Sequence, residues 1–105
     1  MSKEESFVRN AYKSGLLFFS EHAYEKMRKL KISQSEVIQC IENGILVEQQ
    51  SGYKDEDPRM VFYNGHKKCF YVVVTVTSLD LLVVTVCQTD FNVWRKKGDG
   101  IERIK

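Results

Sequence analysis

The stretch Phe70-Tyr71-Val72-Val73-Val74-Thr75-Val76 is the clearest sign of how this chain folds. Successive side chains of a β-strand point to opposite faces of the sheet. The face that begins with Phe70 is wholly apolar, whereas the face that begins with Tyr71 also carries Thr75. Few short strands are this apolar, so the stretch predicts a strand at the centre of a sheet.

Strand signals before this stretch predict an antiparallel meander. Asn64-Gly65 separates a strand over residues 59–63 from the strand over residues 66–77. Asn-Gly between two such runs is the strongest short signal for a β-hairpin. Residues 45–50 begin an earlier strand of the same sheet.

After the central strand, the pattern predicts one more strand and then a short helix. That strand is expected to place three alternating residues on one apolar face: Leu82, Val84 and Val86. Asp90 is a suitable helix cap, and the helix would contain Trp94. Gly98-Asp99-Gly100 would end it and leave a basic tail over residues 98–105.

The N-terminal part of the chain has the spacing of three helices. The first covers residues 6–13, and the second starts at the N-cap Ser20. Ser33 and Glu36 form a capping box that opens the third, which Asn43-Gly44 closes. The second helix has an apolar stripe of residues at helical spacing: Ala23, Met27 and Leu30.

The order of these elements predicts an α+β domain. N-terminal helices would pack on an antiparallel sheet of about four strands, followed by the short C-terminal helix. Residues 16–19 form an apolar bridge with the character of a brief strand. A chain of 105 residues is expected to be a single domain, 1–105, with its core at about 6–97.

The composition is that of a folded globular protein rather than a disordered chain. The apolar fraction of 43% is that of a folded globule, and a formal charge of +2 is too small to indicate a partner. The cysteines are odd in number and widely spaced, which predicts free buried thiols in a reducing cytosol: Cys40, Cys69 and Cys87. With two histidines poorly placed to complete a site, we expect no metal and no cofactor.

Targeting signals are not apparent in the sequence. Residues 1–5 lack the basic flank and apolar region of a secretory signal. The longest apolar runs, 71–76 and 81–87, are far too short to span a membrane. We therefore expect a cytoplasmic protein without a membrane partner.

The stretch Ser20-Glu21-His22-Ala23-Tyr24-Glu25-Lys26-Met27 carries the strongest chemical signal. His22 is able to move a proton near neutral pH, and Lys26 follows it by one helical turn on the same side. The densest positive charge of the chain is here: Lys26, Arg28, Lys29 and Lys31. The alternative interpretation of these cations is a solvated helix face.

These pieces together resemble the DUF4258 family, whose members are small proteins similar to the RelE/ParE-like toxins of bacterial toxin–antitoxin pairs. The resemblance covers residues 16–94, and the order and spacing of its parts carry it. Those parts are His22-Ala23-x-x-Lys26-Met27, Ile32-Ser33, Asn43-Gly44, Arg59, residues 71–76, Val83-Val84-Thr85-Val86, and Asp90 with Trp94.

The resemblance implies a compact RelE/ParE-like α+β fold. Many relatives in that superfamily cleave RNA without a metal, so the resemblance also implies this activity. It further implies an antitoxin protein encoded nearby. Two positions depart from the common pattern of the family. Leu30 stands where an arginine is common and Cys87 where a tyrosine is common. If those positions carry chemistry in the relatives, this chain has lost activity.

Metal-free RNA cleavage needs a base, an acid and cations for the phosphate. His22 is the predicted proton carrier, and Lys26 and Arg59 are the predicted phosphate holders. Thr85, near the end of its strand, completes the predicted catalytic set by a hydrogen bond to the substrate, although threonine is also a common strand residue. The alternatives are that His22 only helps to close the start of its helix and that Arg59 forms a salt bridge with Asp55 or Asp57.

A second set of residues is predicted to bind the substrate around this centre. Arg28, Lys29 and Lys68 would form a basic track along the RNA. Tyr71 would stack a base, and Gln88 would bond to the substrate from the end of its strand. For Tyr71 ordinary sheet packing is the alternative, and for Lys68 a solvated hairpin tip.

The leading hypothesis is a toxin-like endoribonuclease that cuts single-stranded or ribosome-presented RNA. Its rival is a non-catalytic binding module for a protein or a nucleic acid, which the departures at Leu30 and Cys87 favour. A third alternative is a structural protein whose sheet edge pairs in a homodimer. Whether His22 and Arg59 share one site depends on how the helices dock on the sheet.

Overall fold

The protein, described by a computed structural model over residues 3–50, 59–65, 69–76 and 80–104, combines helices with an extended sheet. The α+β class predicted from the sequence is confirmed. None of the described helices is long and apolar enough to cross a membrane. The elements in these ranges are α1 (Lys3–Asn10), β1 (Leu17–Phe19), α2 (Glu21–Leu30), α3 (Gln34–Asn43), β2 (Ile45–Gln50), β3 (Arg59–Asn64), β4 (Phe70–Val76), β5 (Leu81–Gln88), β6 (Trp94–Lys97) and β7 (Gly100–Arg103).

The main sheet has five strands in the described ranges, in the order β1–β5–β4–β3–β2. Strands β2 to β5 form the predicted antiparallel meander. The expectation of about four antiparallel strands was incomplete, because β1 adds a parallel fifth strand beside β5, with Leu17 opposite Leu81. Three residues are too few to show a strand period, and the partner of β1 lies far along the chain.

A β-bulge in β5 changes which of its residues face the helices. Val74 lies opposite Val83, but its neighbour Val73 lies opposite Thr85, so Val84 is an extra residue. An extra residue shifts the alternation of a strand by one position. The prediction of a shared face was therefore wrong for Leu82, Val84 and Val86. The residues that are fully buried under the helices are Leu81, Val83 and Val86.

The three helices cover one face of the main sheet, which we call the helix face. Ser20 and Ser33 cap α2 and α3 as predicted, and the capping box with Glu36 is complete. Arg9 joins α1 to α3, since its guanidinium donates to the carbonyl oxygen of Glu42 at 3.0 Å. The last carbonyls of a helix lack partners within it, so a cation is stabilising there. The core on this face includes Val8, Ala23, Met27, Val37, Phe62, Phe70 and Val72.

The predicted end of α3 at Asn43-Gly44 is confirmed, and Gly44 is the residue that caps it. Its φ of −73° is an ordinary value, so the residue is not left-handed. A Cβ atom at this position would lie 2.3 Å from the carbonyl oxygen of Cys40 and 2.8 Å from that of Tyr63. Gly44 is therefore needed because the end of α3 and strand β3 approach too closely for a side chain.

The C-terminal segment is a β-hairpin, and the predicted short helix was wrong. The carbonyl oxygen of Asp90 accepts the N–H of Trp94 at 3.0 Å, and its carboxylate accepts the N–H of Asn92 at 2.9 Å. These bonds close a tight turn, after which β6 pairs with β7. The basic tail expected over residues 98–105 therefore contains a paired strand, in which Ile101 is buried.

Burial of Trp94 explains why this hairpin packs on the sheet. Its ring is 1% exposed and contacts Tyr71, with 5.2 Å between ring centroids. The Arg103 guanidinium lies 4.6 Å from the centroid of the Trp94 ring on β6. We call this side of the main sheet the hairpin face. Its buried cluster is Val61, Tyr63, Trp94 and Ile101.

Candidate functional site

Ser20 fastens the start of α2 to strand β5. Its backbone N–H donates to the carbonyl oxygen of Val83 at 3.0 Å, and its hydroxyl donates to that of Val84 at 2.8 Å. The hydroxyl oxygen also accepts the N–H of Ala23 at 3.0 Å, which is the N-cap bond. His22 follows two residues after the cap, so these bonds fix its place beside β5.

One side of α2 carries His22, Lys26 and Lys29. Residues three and four apart are neighbours on a helix surface, with Cβ atoms about 5–6 Å apart. His22 and Lys29 are exposed and Lys26 is half-buried. Because α2 is helical throughout this range, the predicted neighbourhood of His22 and Lys26 is confirmed. We call these three residues the basic flank of α2.

Arg28 lies on a different side of α2. It follows Tyr24 by one turn, and the Tyr24 ring stacks on Phe19 with 5.5 Å between centroids. The Tyr24 hydroxyl is 3.5 Å from the side-chain nitrogen of Gln34, on α3. The predicted cations of α2 are thus divided, and Arg28 is separated from His22 by the curvature of the helix.

A pocket of about 450 Å³ lies where α2 ends against the sheet. It is lined by residues 29–32 of the helix end and by Cys69, Phe70 and Gln88. Phe70 and Gln88 lie opposite each other where β4 begins and β5 ends. The pocket therefore brings together Lys29 and Gln88, two of the residues predicted to bind substrate.

The shape of this pocket depends on an unusual conformation at Lys31. Its φ of 57° and ψ of 44° are left-handed, which is costly for any residue with a side chain. Ile32 then turns back, and its N–H donates to the carbonyl oxygen of Met27 at 2.9 Å. Ile32 is buried and helps to line the pocket, while Lys31 lies at its edge.

Three other predicted residues belong to the hairpin face instead. Arg59 alternates with Met60, which packs on the helix face, so Arg59 points the other way. Thr85 lies opposite Val73, and its hydroxyl is 3.8 Å from the sulfur of Cys87. Tyr71 is also on this face, where its ring contacts Trp94.

The sheet therefore separates Arg59, Thr85 and Tyr71 from the basic flank on the helix face. These predicted residues do not gather with His22 in one site. Lys68, and the residues Asp55 and Asp57 that were considered as partners of Arg59, lie outside the described residues.

Two tyrosines on the hairpin face are held in their neutral form. Burial, together with a hydrogen bond to Cys69, raises the pKa of Tyr63 to about 12. Burial, together with a hydrogen bond to Cys87, raises the pKa of Tyr71. Because the Tyr71 ring also packs against Trp94, its contacts are those of ordinary sheet packing.

Sequence reasoning missed the apolar lining of the pocket. Leu30 was assigned to the core stripe of α2 and is half-buried at the pocket. Phe70 was assigned to the core and also lines the pocket. Cys69 was assigned to the buried thiols; it is half-buried and borders the pocket, but it packs on the hairpin face with Tyr63. A non-glycine residue in left-handed conformation has no reliable sequence signal, so the turn at Lys31 was not foreseeable.

Metal binding has no candidate site in the parts of the chain that the structure describes. Within these parts, no three His, Cys, Asp or Glu side chains are grouped so as to hold an ion.

Comparison with known proteins returns one family. The sequence model described as "Domain of unknown function (DUF4258)" matches residues 19–88. No curated protein and no solved structure shows a significant match. The matched span contains the basic flank, the pocket and all of β2 to β5, whereas the C-terminal hairpin follows it.

Proposed function

The chain belongs to the DUF4258 family, and from that premise we propose that it is a toxin-like endoribonuclease that works without a metal. Cleavage takes place along the basic flank of α2, with His22 as the proton carrier. The observation that carries this proposal is the alignment of His22, Lys26 and Lys29 on one side of α2, leading to the pocket.

In the proposed cleavage reaction, each of these groups has one role. His22 takes the proton of a ribose 2′-hydroxyl, and the resulting oxygen attacks the adjacent phosphorus. The bond to the 5′-oxygen breaks, and that oxygen takes a proton from the Lys26 ammonium or from water. Lys26 and Lys29 stabilise the charge that develops on the phosphate. The products are a 2′,3′-cyclic phosphate and a 5′-hydroxyl.

Cleavage of a labelled single-stranded RNA in the presence of EDTA tests this function. The wild-type protein should produce cyclic-phosphate ends, and His22→Ala should lower the rate by about 100-fold or more. Lys13→Ala is the matched control, because Lys13 is an exposed lysine in the turn between α1 and β1 and is not part of α2. Equal rates for wild type and His22→Ala would remove His22 from the mechanism.

Growth of bacteria that express the protein tests the toxin part of the proposal. The wild-type chain should arrest growth, and His22→Ala should relieve the arrest. Co-expression of the neighbouring gene should also relieve it if that gene encodes the antitoxin partner. Cytoplasmic RNA is the substrate in this proposal, so no membrane partner is needed. If the wild-type protein neither arrests growth nor cleaves RNA, the proposal of an enzyme is refuted.

The second candidate is a binding module that has lost activity. It is favoured by one observation: Arg59 and Thr85, which were predicted to complete the catalytic set, belong to the hairpin face. Such a module binds RNA through Lys26 and Lys29 but leaves it intact. Binding with a steep salt dependence and no cleavage would select it. A homodimer paired through a sheet edge is separately tested by sedimentation.

A further inference from the structure

The pocket at the end of α2 has an apolar floor and a polar mouth. The floor consists of Ile32 and Phe70, which are 6% and 1% exposed, with half-buried Leu30 beside them. The mouth carries the exposed side chains of Lys29 and Gln88. A flat ring with polar edges fits such a site, because its faces meet apolar atoms while its edge meets the polar groups.

The volume of about 450 Å³ lies within the range of about 300–1,000 Å³ that is usual for sites of small ligands. That space suits one nucleotide rather than a stretch of duplex. Gln88 offers both a carbonyl acceptor and two N–H donors, so it is able to pair with the edge of a base. Lys29 offers an ammonium to the phosphate next to that base.

The position of the pocket connects it to the basic flank. Lys29 belongs to both, and His22 lies seven residues before it, about 10 Å along the helix axis at about 1.5 Å per residue. A strand that places a base in the pocket therefore has its neighbouring phosphates alongside Lys26 and His22. Bases of a duplex are stacked and paired, so only an unpaired base is free to enter.

We propose that this pocket takes one unstacked base of single-stranded RNA, with Gln88 bonded to the base edge and Lys29 at the adjoining phosphate. The inference deepens the proposed function and rests on it. It makes single-stranded RNA the substrate and makes Gln88 the residue that sets base preference. The floor beneath the base accepts any ring of suitable size, and discrimination comes from the amide.

A titration with the four nucleoside 5′-monophosphates tests the pocket without any cleavage. The nucleotides should shift the backbone amide resonances of residues 29–32, Cys69, Phe70 and Gln88. Ribose 5-phosphate, which has no base, is the control ligand and should bind more weakly. Equal binding of ribose 5-phosphate would overturn the assignment of a base to the pocket.

Variants extend this test to base preference. Gln88→Ala should change the ratio of affinities among the four nucleotides by about two- to tenfold, the effect of one hydrogen bond. Leu30→Phe should weaken all four by narrowing the pocket. Gln88 is exposed, so its variant remains informative if Leu30→Phe does not fold. An unchanged ratio in Gln88→Ala would overturn its role.

The outcomes separate this inference from the proposed function. RNA that still binds and is cleaved, while no nucleotide enters the pocket, would refute the inference and leave the function standing. Nucleotides that enter the pocket, while RNA is bound but not cleaved, would support the pocket in the binding module. If neither nucleotides nor RNA bind, both proposals are refuted.

Discussion

The hydroxyl of Ser20 donates a 2.8 Å hydrogen bond to the carbonyl oxygen of Val84, the extra residue of the bulge in β5. This bond ties the start of α2 to an irregular point of the sheet. The helix that presents His22 is thereby held against β5, and its basic flank ends at the pocket with Lys29.

Ser20→Ala should destabilise the protein more than Ser33→Ala does. Both serines are N-caps, and loss of a cap costs about 1 kcal/mol. The Ser33 hydroxyl serves the capping box of α3, whereas the Ser20 hydroxyl caps α2 and also holds Val84. We expect about 1 kcal/mol more from the second bond. Urea unfolding measures both, and equal losses would show that the Val84 bond adds nothing to stability.

Lys26→Ala and Lys29→Ala should each weaken binding of single-stranded RNA and reduce its dependence on salt. Each phosphate contact releases a counterion, so the slope of log K against log salt should fall by about 0.7 for each lysine. Fluorescence anisotropy at several salt concentrations gives the slope. Lys13→Ala has the same change of charge and should leave the slope unchanged. A similar fall in Lys13→Ala would mean that binding follows net charge rather than the basic flank.

Trp94→Ala should cost about 3–5 kcal/mol of stability, the usual loss for a buried aromatic ring. Trp94 is 1% exposed and holds the hairpin against Tyr71. Chemical unfolding followed by circular dichroism gives the free energy without a tryptophan signal. Ile104→Ala is the control on the same segment, because Ile104 is 47% exposed and its loss should stay within about 0.5 kcal/mol. A small effect of Trp94→Ala would mean that the hairpin does not contribute to the core.

Stability should fall at high pH because of Cys40. Burial raises the pKa of its thiol from 9.0 to about 12. Above pH 9 the unfolded chain loses this proton while the folded protein keeps it, so stability is complete below pH 9. It is lost progressively as pH rises from 9 to about 12, by up to about 1.4 kcal/mol per pH unit.

Cys40→Ala should flatten that part of the pH profile, although it lowers stability at neutral pH by leaving a cavity. Unfolding curves collected from pH 7 to pH 11 compare the two proteins. The same decline in wild type and Cys40→Ala would assign the loss to other groups.

Local features of this protein were readable from its sequence. Ser20 and Ser33 correctly predicted the starts of α2 and α3, because capping involves only a few successive residues. The alternation from Phe70 to Val76 identifies a strand with one wholly apolar face, and the helical period places Lys26 beside His22. The candidate flank of α2 was therefore predictable from the residues alone.

Other features depended on contacts between distant parts of the chain. The burial of Trp94 turned a segment that resembled a capped helix into a hairpin, since the sheet offered that ring an apolar surface. One extra residue at Val84 reversed the faces of β5 around it. A glycine is required at position 44 because the end of α3 approaches β3 closely there, and no local sequence pattern indicates that approach.

The sequence by itself determined the helix starts, the central strands and the side of α2 on which His22 and Lys26 lie, because these depend on neighbours along the chain. Only the tertiary structure decided that Arg59 and Thr85 lie across the sheet from His22. It likewise decided that Lys29 and Gln88 meet at one pocket. The physical reason is that strand pairing and face burial are settled by the packing of the whole core, and a change of one residue in register moves a side chain to the opposite face.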